Sequence, residues 1–175
     1  MKKLILITDG GTGGVQTWVY KKYENIKHTK NYKFVLIKNG NLESRLTKLG
    51  YTVCVWPYIK VILMLPIFIL INRIDIVECH STFMGLIGRA WAFFMGRRCV
   101  YVTHGWGVSY SSGLACKIAK LLEKALGKIG FTILCVSRKD YDYAAKELQI
   151  HERCLKLPRI KTYDYQVECI KIKSL

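Results

Sequence analysis

The sequence predicts an α/β fold, a single domain in which a parallel sheet of about six to seven strands carries helices on both faces. Strand-like and helix-like stretches alternate along the chain, which is typical of βαβ units with right-handed crossovers. The strands are nearly continuous apolar runs, as expected for parallel strands buried on both sides. The chain has 175 residues and is 51% hydrophobic, which suits one domain with its own core.

Apolar, β-branched runs define the predicted strands. In chain order these are Lys3–Thr8, Lys33–Lys38, Thr52–Val55, Asp75–Cys79, Cys99–Thr103, Thr132–Val136 and, more weakly, Cys154–Leu157. The stretches between them have the length and apolar spacing of helices. They are Val15–Lys27, Leu42–Leu49, Ile59–Asn72, Phe83–Met95, Leu114–Leu126 and Lys139–Leu148.

Glycine and hydroxyl residues mark several helix ends. Glycines directly follow three predicted helices and are expected to form C-caps: Gly50, Gly96 and Gly127. Ser81 or Thr82 precedes the helix at Phe83, and Ser137 precedes the helix at Lys139. Serine and threonine at these positions favour N-caps.

The first strand runs directly into a glycine cluster at residues 10–14, which begins after Asp9. A strand, a tight glycine loop and a helix N-terminus present backbone N–H groups and a positive helix end, which favour an anion such as a phosphate. Gln16 stands where the dinucleotide-binding pattern needs its third glycine, and the P-loop pattern is absent. A flexible strand–helix connection without a ligand remains the alternative.

The charge of the chain is strongly unbalanced, with 28 Lys and Arg against 12 Asp and Glu and a formal net charge of +16. Nucleic acid, anionic lipid and phosphorylated small molecules are the partners that suit such a surface, and a solvated basic surface is the alternative. The basic residues are scattered, and no zinc-finger spacing or aromatic RNA-binding signature occurs. We therefore expect no nucleic-acid partner.

The seven cysteines are odd in number and form no C-x-x-C pair, which predicts reduced thiols in a cytosolic protein and neither a disulfide framework nor a zinc site. The N-terminal apolar run is too short for an export signal. Val61–Ile71 is apolar but shorter than the ~20 residues that span a bilayer. It is either a buried helix or an interfacial one, with Lys60 and Arg73 on lipid phosphates.

Polar residues follow several strands at the point where each strand ends. His80 with Ser81 follows the fourth strand, His104 with Gly105 the fifth, and the pair at 137–138 the sixth. Because open parallel sheets bind ligands beyond the carboxyl ends of their strands, we expect a ligand site there. Histidine in such a place accepts a proton, neutralises phosphate or donates to a hydroxyl.

Four motifs in order resemble the N-terminal domain of the GT-B glycosyltransferases of the family 4, or group 1, type. Gly13-Gly14-Val15-Gln16 is similar to the loop after that family's first strand, and Ile74–Ser81 to its P-D-I-V-H-x-H-S strand. Val100–Trp106 is similar to its V-x-T-x-H-G strand, and Ile133–Ser137 to its V-x-x-V-S strand. Position 78 is Glu, where the family often has His.

The resemblance implies metal-independent transfer of a sugar from a nucleotide-sugar to a glycan acceptor, possible lipid linkage of that acceptor, and no cofactor. It implies His104 as the catalytic residue by the reacting sugar. Together with the strand-end positions it gives the predicted substrate-binding residues: Gly13, Gly14, Gln16, His80, Ser81, Gly105, Ser137 and Arg138. It places the protein in the cytoplasm, with the inner membrane face as an expected peripheral location.

The resemblance divides the chain into a Rossmann-like, acceptor-side domain at residues 1–157 and a tail at 158–175, interpreted as the remnant of an interdomain hinge. The family's donor-binding half, with its E-x7-E carboxylates, has no counterpart in the 175 residues. A donor-binding domain or partner chain is therefore an expected partner. Two alternatives remain: a non-catalytic, membrane-associated subunit of a split GT-B enzyme, and a binding domain for another phosphorylated ligand.

Overall fold

The computed structural model describes residues 1–107 and 113–158. Its centre is a sheet whose strands all pair in parallel, in the spatial order β3-β2-β1-β4-β5-β6-β7. The strands are β1 (Lys3–Asp9), β2 (Tyr32–Lys38), β3 (Thr52–Val55), β4 (Ile76–His80), β5 (Arg98–Thr103), β6 (Thr132–Cys135) and β7 (Leu155–Lys156). The seven-stranded parallel sheet confirms the predicted fold class.

Helices cover both faces of the sheet, as predicted. In the described ranges they are α1 (Gly14–Tyr23), α2 (Asn41–Lys48), α3 (Tyr58–Ile71), α4 (Thr82–Phe94), α5 (Leu114–Gly127) and α6 (Arg138–Lys146). Short 3-10 helices lie at Thr29–Asn31 and Glu152–Cys154. Helices α1 and α2 pack on one face, and buried residues of α3, α4 and α6 join the core on the other.

The central strand β1 shows why its sequence is apolar throughout. Leu4 and Leu6 belong to the core under α3 and α4, whereas Ile5 and Ile7 belong to the core under α1 and α2. Successive side chains of a strand point to opposite faces, so a strand covered on both faces needs apolar residues at every position.

The strand order places a topological switch point between β1 and β4. From β1 the chain moves outward through β2 to β3, then returns to add β4 on the other side of β1. The connections after these two strands lead in opposite directions, and ligands of doubly wound folds bind beyond the carboxyl ends of strands at such a switch point.

Two of the three predicted glycine caps are confirmed. Gly50 and Gly96 follow α2 and α4 with φ of 84° and 59°, the left-handed backbone that glycine tolerates best. The prediction for Gly127 is wrong because α5 includes this residue. A Cβ at Gly127 would lie 2.6 Å from Ile150, so this glycine serves close packing.

Some element boundaries differ from the prediction. Helix α1 ends at Tyr23 instead of Lys27, since Tyr23 is buried and the residues after it are mostly exposed. Strand β4 includes His80 as its last residue, which turns this side chain into the interior. Within the described ranges, no helix is long and apolar enough to cross a bilayer. Residues 159–175 of the predicted hinge remnant lie outside the described residues.

Candidate functional site

Two histidines meet at the carboxyl edge of the sheet. His80 ends β4 and is fully buried, whereas His104 directly follows β5 and is half-buried. His80 Nδ1 lies 3.1 Å from His104 Nε2. The two residues are neighbours because β4 and β5 pair in parallel, as the positions of the histidines predicted.

Beneath the histidines lies a buried carboxylate with several partners. Glu78, which is 0% exposed, lies two residues before His80 on the same face of β4, and its Oε1 is 3.0 Å from His80 Nε2. Lys22 Nζ donates to both carboxylate oxygens at 2.9 Å, Lys3 Nζ to Oε2 at 3.1 Å, and the Tyr23 hydroxyl to Oε1 at 3.1 Å. A buried charge is tolerated only when it is paired and hydrogen-bonded in this way.

The charges in this network determine which groups are ionised. Burial alone would raise the pKa of Glu78, but Lys22, Lys3 and the His80 hydrogen bond together lower it well below the ordinary range. Burial lowers the pKa of His80, and burial with the adjacent His80 lowers the pKa of His104 to about 3. At neutral pH the site therefore holds an ionised Glu78 and two neutral imidazoles.

Trp18 connects helix α1 to the histidine pair. Its ring centroid lies 5.3 Å from that of His80 and 5.2 Å from that of His104. Lys22 follows one helical turn later and lies over the same indole at 4.8 Å. Residues four apart share a helix face, so α1 supplies both the aromatic wall of the site and a cation that pairs with Glu78.

The glycine loop after β1 has a structural part and an exposed part. Gly10 is buried, and a Cβ there would lie 2.7 Å from the Lys38 carbonyl oxygen. Gly13 and Gly14 are exposed, and a Cβ on Gly14 would meet nothing within 4 Å. Gln16 Nε2 donates to the Asp9 carbonyl oxygen at 3.0 Å and so braces the loop.

Helices α1 and α4 both begin at this edge without a capping side chain. Their N-cap residues Gly13 and Ser81 make no side-chain cap bond, and neither first turn contains an acid. Ser81 instead hydrogen-bonds the Thr8 hydroxyl. The first N–H groups of a helix have no intrahelical partners, so these two helix starts provide donors and positive dipole ends for an anion.

The remaining predicted residues occupy different settings. Gly105 follows His104 with φ of 122°, a backbone that favours glycine. Ser137 caps α6 as expected, since its Oγ accepts from Asp140 N–H at 3.1 Å and donates to Asp140 Oδ2 at 2.6 Å. Arg138 Nε donates to Asp142 at 3.0 Å. Ser137 and Arg138 are exposed and already bonded locally, so their predicted ligand contacts stay predictions.

Sequence reasoning missed the residues that support the histidines, namely Lys3, Trp18, Lys22 and Tyr23. The available signal was Glu78, a charged residue inside an apolar strand, which requires a buried partner. The spacing of Trp18 and Lys22 places both on one face of α1. Among the described residues, no group of three or more His, Cys, Asp or Glu is arranged to hold a metal ion.

Comparison with known proteins finds similarity to glycosyltransferases. No family model matches the chain. The chain is 29% identical over 153 residues to the O-antigen biosynthesis glycosyltransferase WbnH of Escherichia coli, and the aligned region covers 84% of this chain and 45% of that protein. The fold matches Anabaena Alr3699/HepE, solved in complex with UDP, with a TM-score of 0.67 and 16% identity over 90% of this chain and 43% of that one. It also matches a glycosyltransferase from Rickettsia africae, with a TM-score of 0.68 and 14% identity over 89% and 42% of the two chains.

The chain is similar to glycosyltransferases in sequence and in fold. This confirms the resemblance that the four strand-end motifs indicated. The chain spans less than half of the length of the curated relative and of either structure. The glycosyltransferase similarity therefore concerns one domain-sized part of those proteins.

Proposed function

We propose that this chain is the acceptor-binding half of a glycosyltransferase, which moves a sugar from a nucleotide-sugar to a glycan acceptor together with a donor-binding domain. The observation that carries the proposal is the position of His104 at the carboxyl edge, held by His80 and by the Trp18 ring. The relative WbnH, named as an O-antigen biosynthesis glycosyltransferase, supports a glycan as the acceptor.

The proposed roles follow from what each group offers. His104 meets a hydroxyl of the reacting sugar or of the acceptor, and the starts of α1 and α4 offer backbone N–H groups to the diphosphate of the donor. Two helix N-termini supply positive charge density where the leaving diphosphate develops negative charge. This suits a reaction without a metal ion and without a cofactor.

The donor is proposed to be held mainly by a second domain. The described loop offers the exposed backbone of Gly13 and Gly14 to a diphosphate, and a few backbone donors in water give little affinity because ordering and desolvation offset them. The expected Kd of this chain alone for UDP-glucose is on the order of 1 mM, about 4 kcal/mol of binding free energy.

A titration of the 15N-labelled chain with UDP-glucose, followed by backbone NMR, tests the proposal. Weak shifts confined to Gly13, Gly14 and the start of α4 are expected, together with shifts of His104 when octyl glycosides of common hexoses are added. The exposed substitution His28→Asn is the control and leaves them unchanged. Micromolar binding of UDP-glucose to this chain would overturn the half-enzyme proposal, and shifts on the opposite edge of the sheet would overturn the site.

A second proposal concerns a membrane surface and rests on exposed apolar side chains. Helix α3 buries Val61, Leu65 and Ile69 but exposes a row that includes Leu63, Ile67 and Ile71. Further exposed apolar residues lie on α4, which packs beside α3, and on α5, which packs beside α4: Phe93, Phe94, Leu114, Ile118, Leu121 and Leu122. Apolar patches of this kind mark protein or membrane contacts.

We propose that this apolar face lies against an anionic bilayer, as suits a lipid-linked acceptor and a net charge of +16. Each basic residue near an anionic surface contributes about 1 kcal/mol, and buried apolar area adds to it. Sedimentation with phosphatidylglycerol vesicles at low salt tests this. A chain that stays in the supernatant overturns the membrane role, and binding without any response of His104 to sugars favours a non-catalytic membrane subunit.

A further inference from the structure

The contacts around Glu78 determine where the two histidines carry their protons. Glu78 accepts from Lys3, Lys22 and Tyr23 and is ionised. An ionised carboxylate only accepts hydrogen bonds. The 3.0 Å contact between its Oε1 and His80 Nε2 therefore requires the proton of His80 to be on Nε2.

The proton position on His80 determines the proton position on His104. A neutral imidazole that is protonated on Nε2 has a lone pair on Nδ1. His80 Nδ1 lies 3.1 Å from His104 Nε2, so His104 Nε2–H donates to it. His104 is itself neutral, which leaves its Nδ1 unprotonated.

We infer that Glu78 and His80 are positioning residues that hold His104 in the Nε2–H tautomer, so that its Nδ1 accepts a hydrogen bond from a ligand hydroxyl. The inference deepens the proposed function and its ligand part rests on it, but the tautomer itself does not. A ligand that places a hydroxyl at Nδ1 donates to it, whereas one that places a phosphate or carbonyl oxygen there meets a lone pair and is rejected.

The tautomer is specified from the buried side by groups on three elements. Lys3 belongs to β1, Lys22 and Tyr23 to α1, and Glu78 to β4. Lys22 donates to both carboxylate oxygens, Lys3 donates to Oε2, and Tyr23 and His80 contact Oε1. Because the lysines and Tyr23 all donate to this carboxylate, the substitution Glu78→Gln, which replaces one acceptor by an NH2 group, is informative.

In the variant Glu78→Gln, the ammonium group of Lys22 faces both ends of the amide, so the lysines do not impose one orientation of the NH2 group. An amide that donates at the Oε1 position favours a proton on His80 Nδ1, whereas one that accepts there keeps the proton on Nε2. His104 follows His80, because its Nε2 faces His80 Nδ1. Loss of the carboxylate is therefore expected to leave both histidines in a mixture of tautomers.

Long-range 1H–15N NMR spectra of the imidazole rings of the full chain test this directly, since protonated and unprotonated ring nitrogens resonate far apart. The chain has four histidines, and single His→Asn variants assign them. In the wild type, His80 and His104 are expected to be protonated on Nε2 alone. A wild-type His104 that is protonated on Nδ1 overturns the inference without any variant.

The NMR measurement on variants requires no catalytic activity, and a second variant replaces the first if that one does not fold. Glu78→Gln is expected to give both histidines a mixture of tautomers, which weakens the binding of octyl glycosides about twofold when the two tautomers are equally populated. Glu152→Gln, beside the exposed His151, is the matched control and changes neither tautomer. If Glu78→Gln does not fold, His80→Asn is measured instead and is expected to leave His104 in a mixture of tautomers.

An unchanged His104 tautomer in the variant that folds overturns the relay. A different result separates the tautomer inference from the proposed function. If the tautomers become mixed as expected in Glu78→Gln while neither the wild type nor the variant binds a sugar or a nucleotide-sugar, the relay stands and the proposed transferase function is overturned.

Discussion

His80 Nδ1 and His104 Nε2 lie 3.1 Å apart, although 24 positions separate the two residues in the sequence. The ring of His80 is buried and the ring of His104 is half-buried. Their contact therefore links the charged network around Glu78 to the carboxyl edge of the sheet. The protonation of the His104 ring therefore depends on groups buried beneath it.

The first prediction concerns stability in acid. The folded state holds His80 and His104 neutral, with pKa values below that of an ordinary histidine, whereas the unfolded chain protonates both below about pH 6.5. The unfolded state then binds more protons, so stability falls as pH drops from 6.5 toward 3. His104 contributes a slope of about 1.4 kcal/mol per pH unit through this window, and His80 adds a loss of the same sign.

Urea unfolding at several pH values between 7.5 and 4.5 measures this slope. His104→Asn is expected to remove the share of one histidine, and His28→Asn, an exposed control, is expected to leave the slope unchanged. A slope that is equal in all three proteins would show that His104 is not held neutral in the fold. Glu78 contacts His80 directly, and it in turn contacts Lys3, Lys22 and Tyr23. Protonation of Glu78 lowers the stability only at lower pH.

The second prediction concerns the buried carboxylate. Glu78→Leu leaves the ammonium groups of Lys3 and Lys22 without their buried partner, which is expected to cost about 3–5 kcal/mol of unfolding free energy. The exposed i, i+4 pair of Arg138 and Asp142 is the matched control, and Asp142→Leu is expected to cost about 0.5 kcal/mol or less. Equal losses from chemical denaturation of the two variants would contradict the importance of the network.

The sequence predicts what local chemistry determines and misses what the strand order determines. The apolar run of β1 and the glycines after α2 and α4 are local signals, and the structure confirms them. The ion pair of Lys22 and Glu78 joins residues 56 positions apart, and only the placement of α1 over β4 brings them together. The histidine positions were predicted from strand ends, but the burial of His80 depends on one residue of strand length.

The third prediction compares Gly88, which has no space for a Cβ atom, with Gly14, which has open space around it. A Cβ on Gly88 of α4 would lie 2.3 Å from Cys79 Sγ and 2.8 Å from Leu6 Cδ1, so Gly88→Ala is expected to cost about 1–3 kcal/mol of stability by overpacking. A Cβ on Gly14 meets nothing within 4 Å, so thermal unfolding of Gly14→Ala is expected to match the wild type. If Gly14→Ala keeps its stability but loses the UDP-glucose shifts, the loop contacts the donor; unchanged shifts contradict that role.

The last prediction tests the apolar face of α3 with residues whose substitution spares the core. Leu63 and Ile67 are 61% and 45% exposed, so the double variant Leu63→Ser with Ile67→Ser is expected to fold with near wild-type stability. Removing two large apolar side chains from a membrane contact is expected to lower binding to phosphatidylglycerol vesicles about tenfold or more. The pair Leu121→Ser with Leu122→Ser on α5 is the comparison, and its effect shows whether α5 shares the contact. Vesicle binding that survives both double variants and disappears only at high salt would assign the interaction to the basic residues alone.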